Sequence, residues 1–211
     1  MGRHPSTRFL LLTSTLIVAV AIGGAAEGKA QTPEKSQRGP DEAEVDTVEK
    51  GAPYVPTPRH VVWRMLDLAD VSEDDVVYDL GSGDGRIVLA AAQRFGARGV
   101  GIEIDPDLVQ KARTKAEQLG VADRVTFRQG DLFETDLSEA TVVMLYLWPD
   151  MNNRLRSKLR SELDPGDRVV SHSFDIDGWE ADTTVSMGTQ SIGGTPRTVF
   201  RWTIRDTTAA R

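Results

Sequence analysis

The stretch "VVYDLGSGDGRIVLAAA", which runs from Val76 to Ala92, decides the fold of this chain. It starts as a short apolar segment, passes through the glycine-rich bend "GSGDG" (81–85) and continues as an apolar run long enough for a helix. Glycines permit a tight turn and let a ligand approach bare backbone beside the first turn of a helix. The pattern therefore predicts a strand at 76–80, a ligand-binding bend and a helix at about 86–95.

The chain from residue 54 onward alternates between strand-like and helix-like segments. Thr57 followed by Pro58 predicts the N-cap and first position of a helix, and Asp105 followed by Pro106 predicts another helix start. The segment "ATVVMLYLW" (140–148) is almost wholly apolar, which is typical of a strand buried on both faces. Further strands are expected at 98–105, 124–131 and 168–174, and a hairpin at 183–188 and 197–204. We therefore expect an α/β fold, a doubly wound, mostly parallel Rossmann-like seven-stranded sheet with an antiparallel C-terminal hairpin.

The composition limits the chemistry and the class of partner. The 211 residues include 25 Lys and Arg against 32 Asp and Glu, which gives a formal net charge of -7. We do not expect such a chain to bind nucleic acid or anionic lipid by broad electrostatic attraction. The chain has no cysteine, which excludes disulfides, thiolate zinc sites and cysteine nucleophiles. The sequence predicts no metal site.

The N-terminal segment has the pattern of a secretory signal. Arg3 and Arg8 precede the apolar run 9–26, and small residues follow it. We expect residues 1–30 to be a signal peptide that is cut before Gln31, which exports the protein to the periplasm or cell envelope. The alternative is an uncleaved segment that anchors the protein in the membrane.

The segment 31–52 is polar, charged and poor in large apolar residues. It cannot bury enough apolar surface to offset the loss of chain entropy, so it is predicted to be a disordered linker. The folded domain is predicted to span 53–206, and it opens with the proline-rich arm "YVPTP" (54–58) and a helix.

The glycine bend does not match a phosphate-binding motif. A dinucleotide site usually has the spacing G-x-G-x-x-G, whereas the spacing here is G-x-G-x-G, and no G-K-[ST] ending follows. Asp79 and Asp84 flank the bend. Their carboxylates would repel a phosphate and attract a ligand with a cationic amino group or a sulfonium.

Two further acidic residues follow the next strands. Glu103 lies about 20 residues beyond the bend, the position from which a carboxylate binds ribose hydroxyls. Asp131 could accept a hydrogen bond from the exocyclic amine of an adenine, against which Leu132 or Phe133 would pack. Either acid alone is more often a solvated strand-end carboxylate. Together they favour an adenosine with a cationic, phosphate-free tail.

At this point a family resemblance can be stated. The motifs "DLGSGDGR", "GIEID" and "GDLF" are similar to the successive cofactor motifs of the class I S-adenosylmethionine-dependent methyltransferases. The resemblance covers about residues 54–204 and implies S-adenosyl-L-methionine as the cofactor. The cofactor-binding residues that we expect are Asp79, Gly81, Ser82, Gly83, Asp84, Gly85, Glu103, Asp131 and Leu132.

A narrower resemblance concerns "YVPTP", "DLGSGDGRIVLAAA" and "DGWEAD" (177–182). These segments are similar to those of the lysine methyltransferases that act on the ATP synthase c-subunit and the adenine nucleotide translocase, and of their bacterial relatives. The resemblance implies that Tyr54, Val55 and Pro56 belong to a segment needed for activity. It also implies in-line N-methylation of a protein lysine. A small-molecule acceptor is the alternative partner.

Several polar and aromatic residues remain to be interpreted. Tyr54 and Tyr146 are the candidates for lining the acceptor pocket, with an ordinary packing role as the alternative for each. His172 is interpreted as a strand histidine whose ring nitrogens are satisfied. Asn152 and Asn153 are expected to cap the helix that follows the fourth strand.

Two other classes of function share parts of this pattern. A nucleotide-dependent oxidoreductase would have the same strand, bend and helix and an acid at Glu103, but it does not account for Asp79, Asp84 or the terminal hairpin. An exported, non-catalytic module that binds adenosine or S-adenosylmethionine is the second alternative, because the cell envelope has no obvious supply of the cofactor.

Overall fold

The computed structural model describes residues 54–188 and 197–206. The expected signal peptide and linker lie outside these residues, as does the centre of the expected hairpin turn. Within the described ranges, no helix is long and apolar enough to cross a bilayer. The described elements are α1 (Arg59–Leu68), β1 (Val76–Leu80), α2 (Arg86–Phe95), β2 (Arg98–Glu103), α3 (Pro106–Gln118), β3 (Val125–Gln129), β4 (Val142–Leu145), α4 (Pro149–Glu162), β5 (Arg168–His172), β6 (Thr183–Ser186) and β7 (Thr198–Thr203).

The strands form a seven-stranded sheet in the order β3-β2-β1-β4-β5-β7-β6. β1 to β5 pair in parallel, whereas β7 lies antiparallel between β5 and β6. The predicted fold class is confirmed, including the antiparallel C-terminal hairpin. β1 has β2 on one side and β4 on the other. In sheets of this kind the ligand crevice opens at the carboxyl ends of the strands where the order reverses, here β1 and β4.

The first helix starts one residue later than the sequence predicts. Thr57 was expected to be the N-cap of α1, but this prediction is wrong, because Pro58 occupies the N-cap with extended backbone and no side chain caps the helix. Thr57 is buried instead, and its carbonyl accepts a hydrogen bond from Arg86. The prediction for α3 is confirmed, since the Asp105 side chain accepts a hydrogen bond from the Asp107 N–H at 2.9 Å.

Strand alternation sends side chains to two separate cores. Val77 and Met144 pack on the face that carries α1, α2 and α3, whereas Leu80 and Leu145 pack on the face that carries α4. Successive residues of a strand point to opposite faces. Asp79, two residues after Val77, therefore belongs to the α1 face at the carboxyl end of β1. The candidate site therefore lies on the α1 face, at the carboxyl edge of the sheet.

Candidate functional site

The glycine bend lies immediately after β1, at the carboxyl edge of the sheet. Gly81, Gly83 and Gly85 have φ angles of 79°, 54° and 78°, in the left-handed region that favours glycine. Close approach adds a second constraint at Gly83, because a Cβ there would lie 2.4 Å from the ring of Tyr54. The sequence "GSGDG" therefore specifies both the turn and the contact with the N-terminal arm.

The amides of the bend are already hydrogen-bonded to β2. The N–H groups of Gly81 and Ser82 both donate to the Ile102 carbonyl at 2.9 Å. The Gly83 N–H donates to Oε2 of Glu103 at 2.8 Å. A phosphate cradle needs amides that point at the ligand. These three amides point at β2, so this part of the bend is not built to hold a phosphate.

Asp79 has no cationic partner among the residues that the structure describes. It is 3% exposed, and burial together with the nearby carboxylates of Glu103 and Asp84 raises its pKa to about 8. A buried carboxyl group of this kind becomes much more stable when a cation is placed beside it. The site therefore offers a strong electrostatic reason to bind a positively charged ligand next to the bend.

Asp84 is neutralised within the protein. Arg86 donates to it twice, from Nε to Oδ1 at 2.8 Å and from Nη2 to Oδ2 at 3.0 Å. Lys115 also donates to Oδ2. These two cations hold the pKa of the Asp84 carboxyl far below its usual range, against the opposing effect of burial. Of the two acids that flank the bend, Asp79 is thus the one available to a cationic ligand.

Glu103 ends β2 directly beside the bend. Besides the bond from Gly83, its Oε1 accepts from the N–H groups of Ile104 at 2.9 Å and Asp105 at 3.0 Å. An ionised carboxylate has about four acceptor positions, so capacity remains for a further donor such as a hydroxyl. The three backbone bonds fix the carboxylate in place before any ligand binds.

Asp131 and Leu132 follow β3 on the same edge of the sheet. Oδ1 of Asp131 accepts from the N–H of Phe133 at 2.8 Å, and the Asp131 residue itself is exposed. Leu132 is half-buried against the α4-face core. Ser82, within the bend, is buried, and its hydroxyl has no hydrogen-bond partner among the described residues. The expected cofactor-binding residues are therefore gathered around the carboxyl ends of β1, β2 and β3.

Tyr54 covers the bend from the N-terminal arm. Its ring lies against Gly83, and its hydroxyl accepts a hydrogen bond from Nη2 of Arg86 at 3.3 Å. Burial raises the pKa of the Tyr54 hydroxyl, and the charge of Asp84 adds to this effect. The hydroxyl therefore stays protonated at neutral pH.

Tyr146 and His172 lie side by side at the ends of β4 and β5. They come one residue after the paired Leu145 and Ser171, and their ring centroids are 4.1 Å apart. The prediction that the ring nitrogens of His172 are hydrogen-bonded is wrong. Both nitrogens are buried without a hydrogen-bond partner among the described residues. Burial lowers the pKa of His172 to about 4, and Arg197 and His60 add to this effect. The imidazole is therefore neutral at neutral pH.

Asn152 and Asn153 do not cap α4, contrary to expectation. Trp148 occupies the N-cap, with Pro149 as the first helical residue. The fully buried Asn152 donates from Nδ2 to Oγ of Ser171 at 3.2 Å. Asn153 makes a reciprocal pair with Asp177, with bonds of 2.7 and 2.8 Å. Both side chains tie α4 to β5 and the chain that follows it, so their role is structural.

Arg86 was not among the residues singled out from the sequence. Its guanidinium contacts the bend through Asp84 and the arm through Tyr54 and Thr57. The signal available in the sequence was its place directly after the last glycine of "GSGDG". Propensity could not reveal the role, because an arginine in the first turn of a helix usually faces solvent.

The residues present fit S-adenosylmethionine. The buried Asp79 carboxyl suits the cationic amino group or sulfonium, and Glu103 retains acceptor capacity for ribose hydroxyls. The amides of the bend that point at β2 suit a ligand without phosphates. Asp131 and Leu132 follow β3 on the same edge of the sheet. This donor set matches an adenosine with a cationic, phosphate-free tail.

The chain is similar to known methyltransferases. The ANTKMT methyltransferase domain matches residues 79–183. A protein-lysine N-methyltransferase of Saccharolobus islandicus is 46% identical over 153 residues, which cover 72% of this chain and 93% of that protein. The mouse adenine nucleotide translocase lysine N-methyltransferase is 37% identical over 140 residues, 66% of this chain and 61% of that protein. The match thus spans about three fifths of the animal relative's length.

Solved structures give the same fold. A crystal structure described as an RNA methyltransferase from Salinibacter ruber in complex with S-adenosyl-L-homocysteine has a TM-score of 0.66 and 62% sequence identity. It covers 72% of this chain and 95% of that one. The bound product is the demethylated form of the cofactor that the site residues fit. The chain therefore belongs to the ANTKMT family of S-adenosylmethionine-dependent methyltransferases.

Proposed function

We propose that this protein transfers a methyl group from S-adenosylmethionine to the side-chain amine of a lysine in another protein. The observation that carries the proposal is the position of Tyr54 and Tyr146. One covers the bend beside Asp79 and the other follows β4, the strand next to β1. We infer that the acceptor amine binds beside these two tyrosines. The lysine methyltransferases among the relatives support the same acceptor.

The reaction needs an uncharged amine held in line with the methyl group. When bound, the cofactor supplies a sulfonium methyl that such an amine can displace. A free lysine has a pKa of about 10.4, so it must lose a proton to water before it reacts. The positive charge of Arg197 already lowers the pKa of the neighbouring His172. The same field disfavours a charged amine beside Tyr146.

The remaining task of the protein is alignment and exclusion of water. Tyr146 rests on the buried, neutral His172, which fixes the plane of its ring. The Tyr54 ring is held against Gly83 and covers the bend. Holding reactants in the productive geometry supplies much of the rate enhancement in a displacement of this type. No acid or base with a strongly shifted pKa is required at the reacting atoms.

Methyl transfer to a protein extract tests the proposal. The purified domain is incubated with radiolabelled S-adenosylmethionine and an envelope extract, and labelled bands are hydrolysed to amino acids. We expect the label to appear as N-methyllysine and to be strongly reduced with the Asp79→Asn variant, which binds the cofactor more weakly. Label in a small molecule, or in a protein at a residue other than lysine, would contradict the proposal.

An RNA acceptor is the second candidate, because of the name of the Salinibacter ruber structure. The formal net charge of -7 argues against it, since RNA recognition depends on cationic side chains that neutralise phosphates. The same labelling experiment separates the two acceptors. Label that is removed by ribonuclease and resists protease would replace the lysine proposal with the RNA one.

We further propose that the protein works outside the cytoplasm. The support is the charged start, apolar run and small residues of the segment 1–30, which are typical of a cleaved signal. A methyltransferase in that compartment depends on cofactor supplied from the cytoplasm.

A further inference from the structure

We propose that Arg86 is the latch that holds the 54–58 arm on the glycine bend, so that release of the cofactor requires this latch to open. The proposal rests on the cofactor site and is independent of the acceptor. It assigns a positioning role to Arg86, which touches neither the acceptor nor the reacting atoms.

The guanidinium connects the bend to the arm, whose two acceptors lie 29 and 32 residues earlier in the chain. On the bend it makes the two bonds to Asp84 described above. On the arm, Nη1 donates to the Thr57 carbonyl at 2.8 Å and Nη2 donates to the Tyr54 hydroxyl at 3.3 Å. Only a planar group with five fixed donors can serve these acceptors together. A lysine at this position could keep the positive charge but could not make the same set of hydrogen bonds.

Asp84 anchors the latch on the side of the bend. It is held ionised by Arg86 and Lys115, and its side chain is 6% exposed. A charge-assisted, bidentate pair at a nearly buried carboxylate is stronger than an ordinary surface pair. Arg86 therefore connects the arm to the Asp84 carboxylate, which is itself held in place.

The arm has little else to hold it. Tyr54 is 44% exposed and Val55 is 55% exposed. The helix α1 that follows is fixed independently by its buried residues Val61, Val62, Met65 and Leu66. Loss of the latch would therefore free the arm without unfolding the domain. Because the Tyr54 ring lies on Gly83, a free arm would also uncover the bend.

The test compares Arg86→Met with Arg94→Met. Arg94 lies on the same helix, at its other end, where it pairs with Asp67 at 3.7 Å and takes no part in the site. Backbone hydrogen exchange at the buried Thr57 reports the arm. The dissociation rate of S-adenosylhomocysteine, measured by displacement, reports the cofactor site without any acceptor.

In Arg86→Met we expect both exchange in the arm and dissociation of S-adenosylhomocysteine to rise about tenfold or more, the scale of one or two charge-assisted bonds. Arg94→Met should match the wild type in both. If Arg86→Met does not fold, Arg86→Lys keeps the charge beside Asp84 and should show the same two increases.

Two results would overturn the proposal. Unchanged exchange in the arm of a folded Arg86 variant would show that other contacts hold it. A freed arm with unchanged dissociation of S-adenosylhomocysteine would show that the arm does not control release. Failure to methylate lysine bears on neither measurement, so the acceptor and the latch are tested separately.

Discussion

Tyr146 and His172 pack against each other at the ends of two adjacent parallel strands, with ring centroids 4.1 Å apart and ring planes tilted by 36°. His172 is 1% exposed, and neither of its ring nitrogens has a hydrogen-bond partner among the described residues. Such a group is costly to bury. His172 lies beside Tyr146, where the acceptor amine is proposed to bind. Its unsatisfied ring nitrogens therefore lower stability at the proposed acceptor site.

The first prediction concerns stability in acid. The pKa of His172 falls from 6.5 to about 4 on folding, so the unfolded chain binds more protons between these values. Its contribution to stability is present above pH 6.5 and is lost as the pH falls towards 4, by about 3 kcal/mol at most. Urea unfolding of wild type and His172→Phe across this range isolates the effect, because the difference in stability between the two proteins should follow this dependence while the titration of the carboxyl groups is common to both.

The phenylalanine variant should also be at least as stable as the wild type at neutral pH, because it removes two unsatisfied nitrogens from the interior. A large loss of stability at pH 7 would mean that His172 has a partner that this account lacks.

The second prediction concerns Asp79 and protons. Because its pKa is about 8, the free site holds a proton at neutral pH, and a cationic ligand should displace it. Binding of S-adenosylmethionine should therefore release a proton and should strengthen between about pH 6 and pH 8. Calorimetry in buffers with different ionisation enthalpies measures the proton directly.

Asp79→Asn should abolish proton release and weaken cofactor binding about 10- to 100-fold, the scale of a charge-assisted bond. Methylthioadenosine, which lacks the cationic tail, is the matched control ligand and should bind both proteins equally. An equal loss of affinity for both ligands would place Asp79 elsewhere than beside the cationic group.

The third prediction separates Glu103 from Asp79. Glu103→Ala should weaken S-adenosylmethionine and methylthioadenosine alike, by about 10- to 100-fold, because both ligands carry the ribose. It should also lower the melting temperature, since three backbone amides lose their acceptor. Glu117→Ala, an exposed position on α3, is the control. Undiminished affinity in a folded Glu103 variant would remove the ribose assignment.

The fold and the cofactor side of the site were the most predictable from sequence. The apolar runs of β1 and β4 and the spacing of "GSGDG" depend on local pattern, and local pattern is what a sequence displays. Whether each acidic side chain is paired with a cation was harder to predict from the sequence. Asp79 and Asp84 look equivalent around the bend, yet Arg86 and Lys115 neutralise only Asp84, and Lys115 is distant in sequence. The unsatisfied His172 likewise depends on what surrounds the end of β5.

The fourth prediction concerns export. If residues 1–30 are a cleaved signal, protein recovered from cells should begin at Gln31 and lie in the envelope fraction. Mass spectrometry of the intact protein from separated fractions decides between cleavage and a membrane anchor. Full-length protein in the membrane would favour the anchor, and full-length protein in the cytoplasm would contradict both.

The fifth prediction concerns Tyr54, whose ring rather than hydroxyl faces the bend. The hydroxyl is engaged by Arg86 at 3.3 Å, and the ring lies against Gly83. Tyr54→Ala removes the cover but leaves the bond from Arg86 to the Thr57 carbonyl, so the arm should stay in place. The melting temperature should therefore change little, whereas S-adenosylhomocysteine should dissociate faster, because the ring no longer covers Gly83.

Methyl transfer by Tyr54→Ala should nevertheless fall by about 100-fold, the scale of lost alignment and water exclusion. Tyr54→Phe keeps the ring over Gly83 and should retain most of the activity. Initial rates of label transfer to a lysine-bearing protein measure both variants against wild type. A Phe variant as slow as the Ala variant would assign the effect to the hydroxyl and hence to proton transfer. Equal rates for wild type and Ala would show that the arm is an ordinary start to the domain.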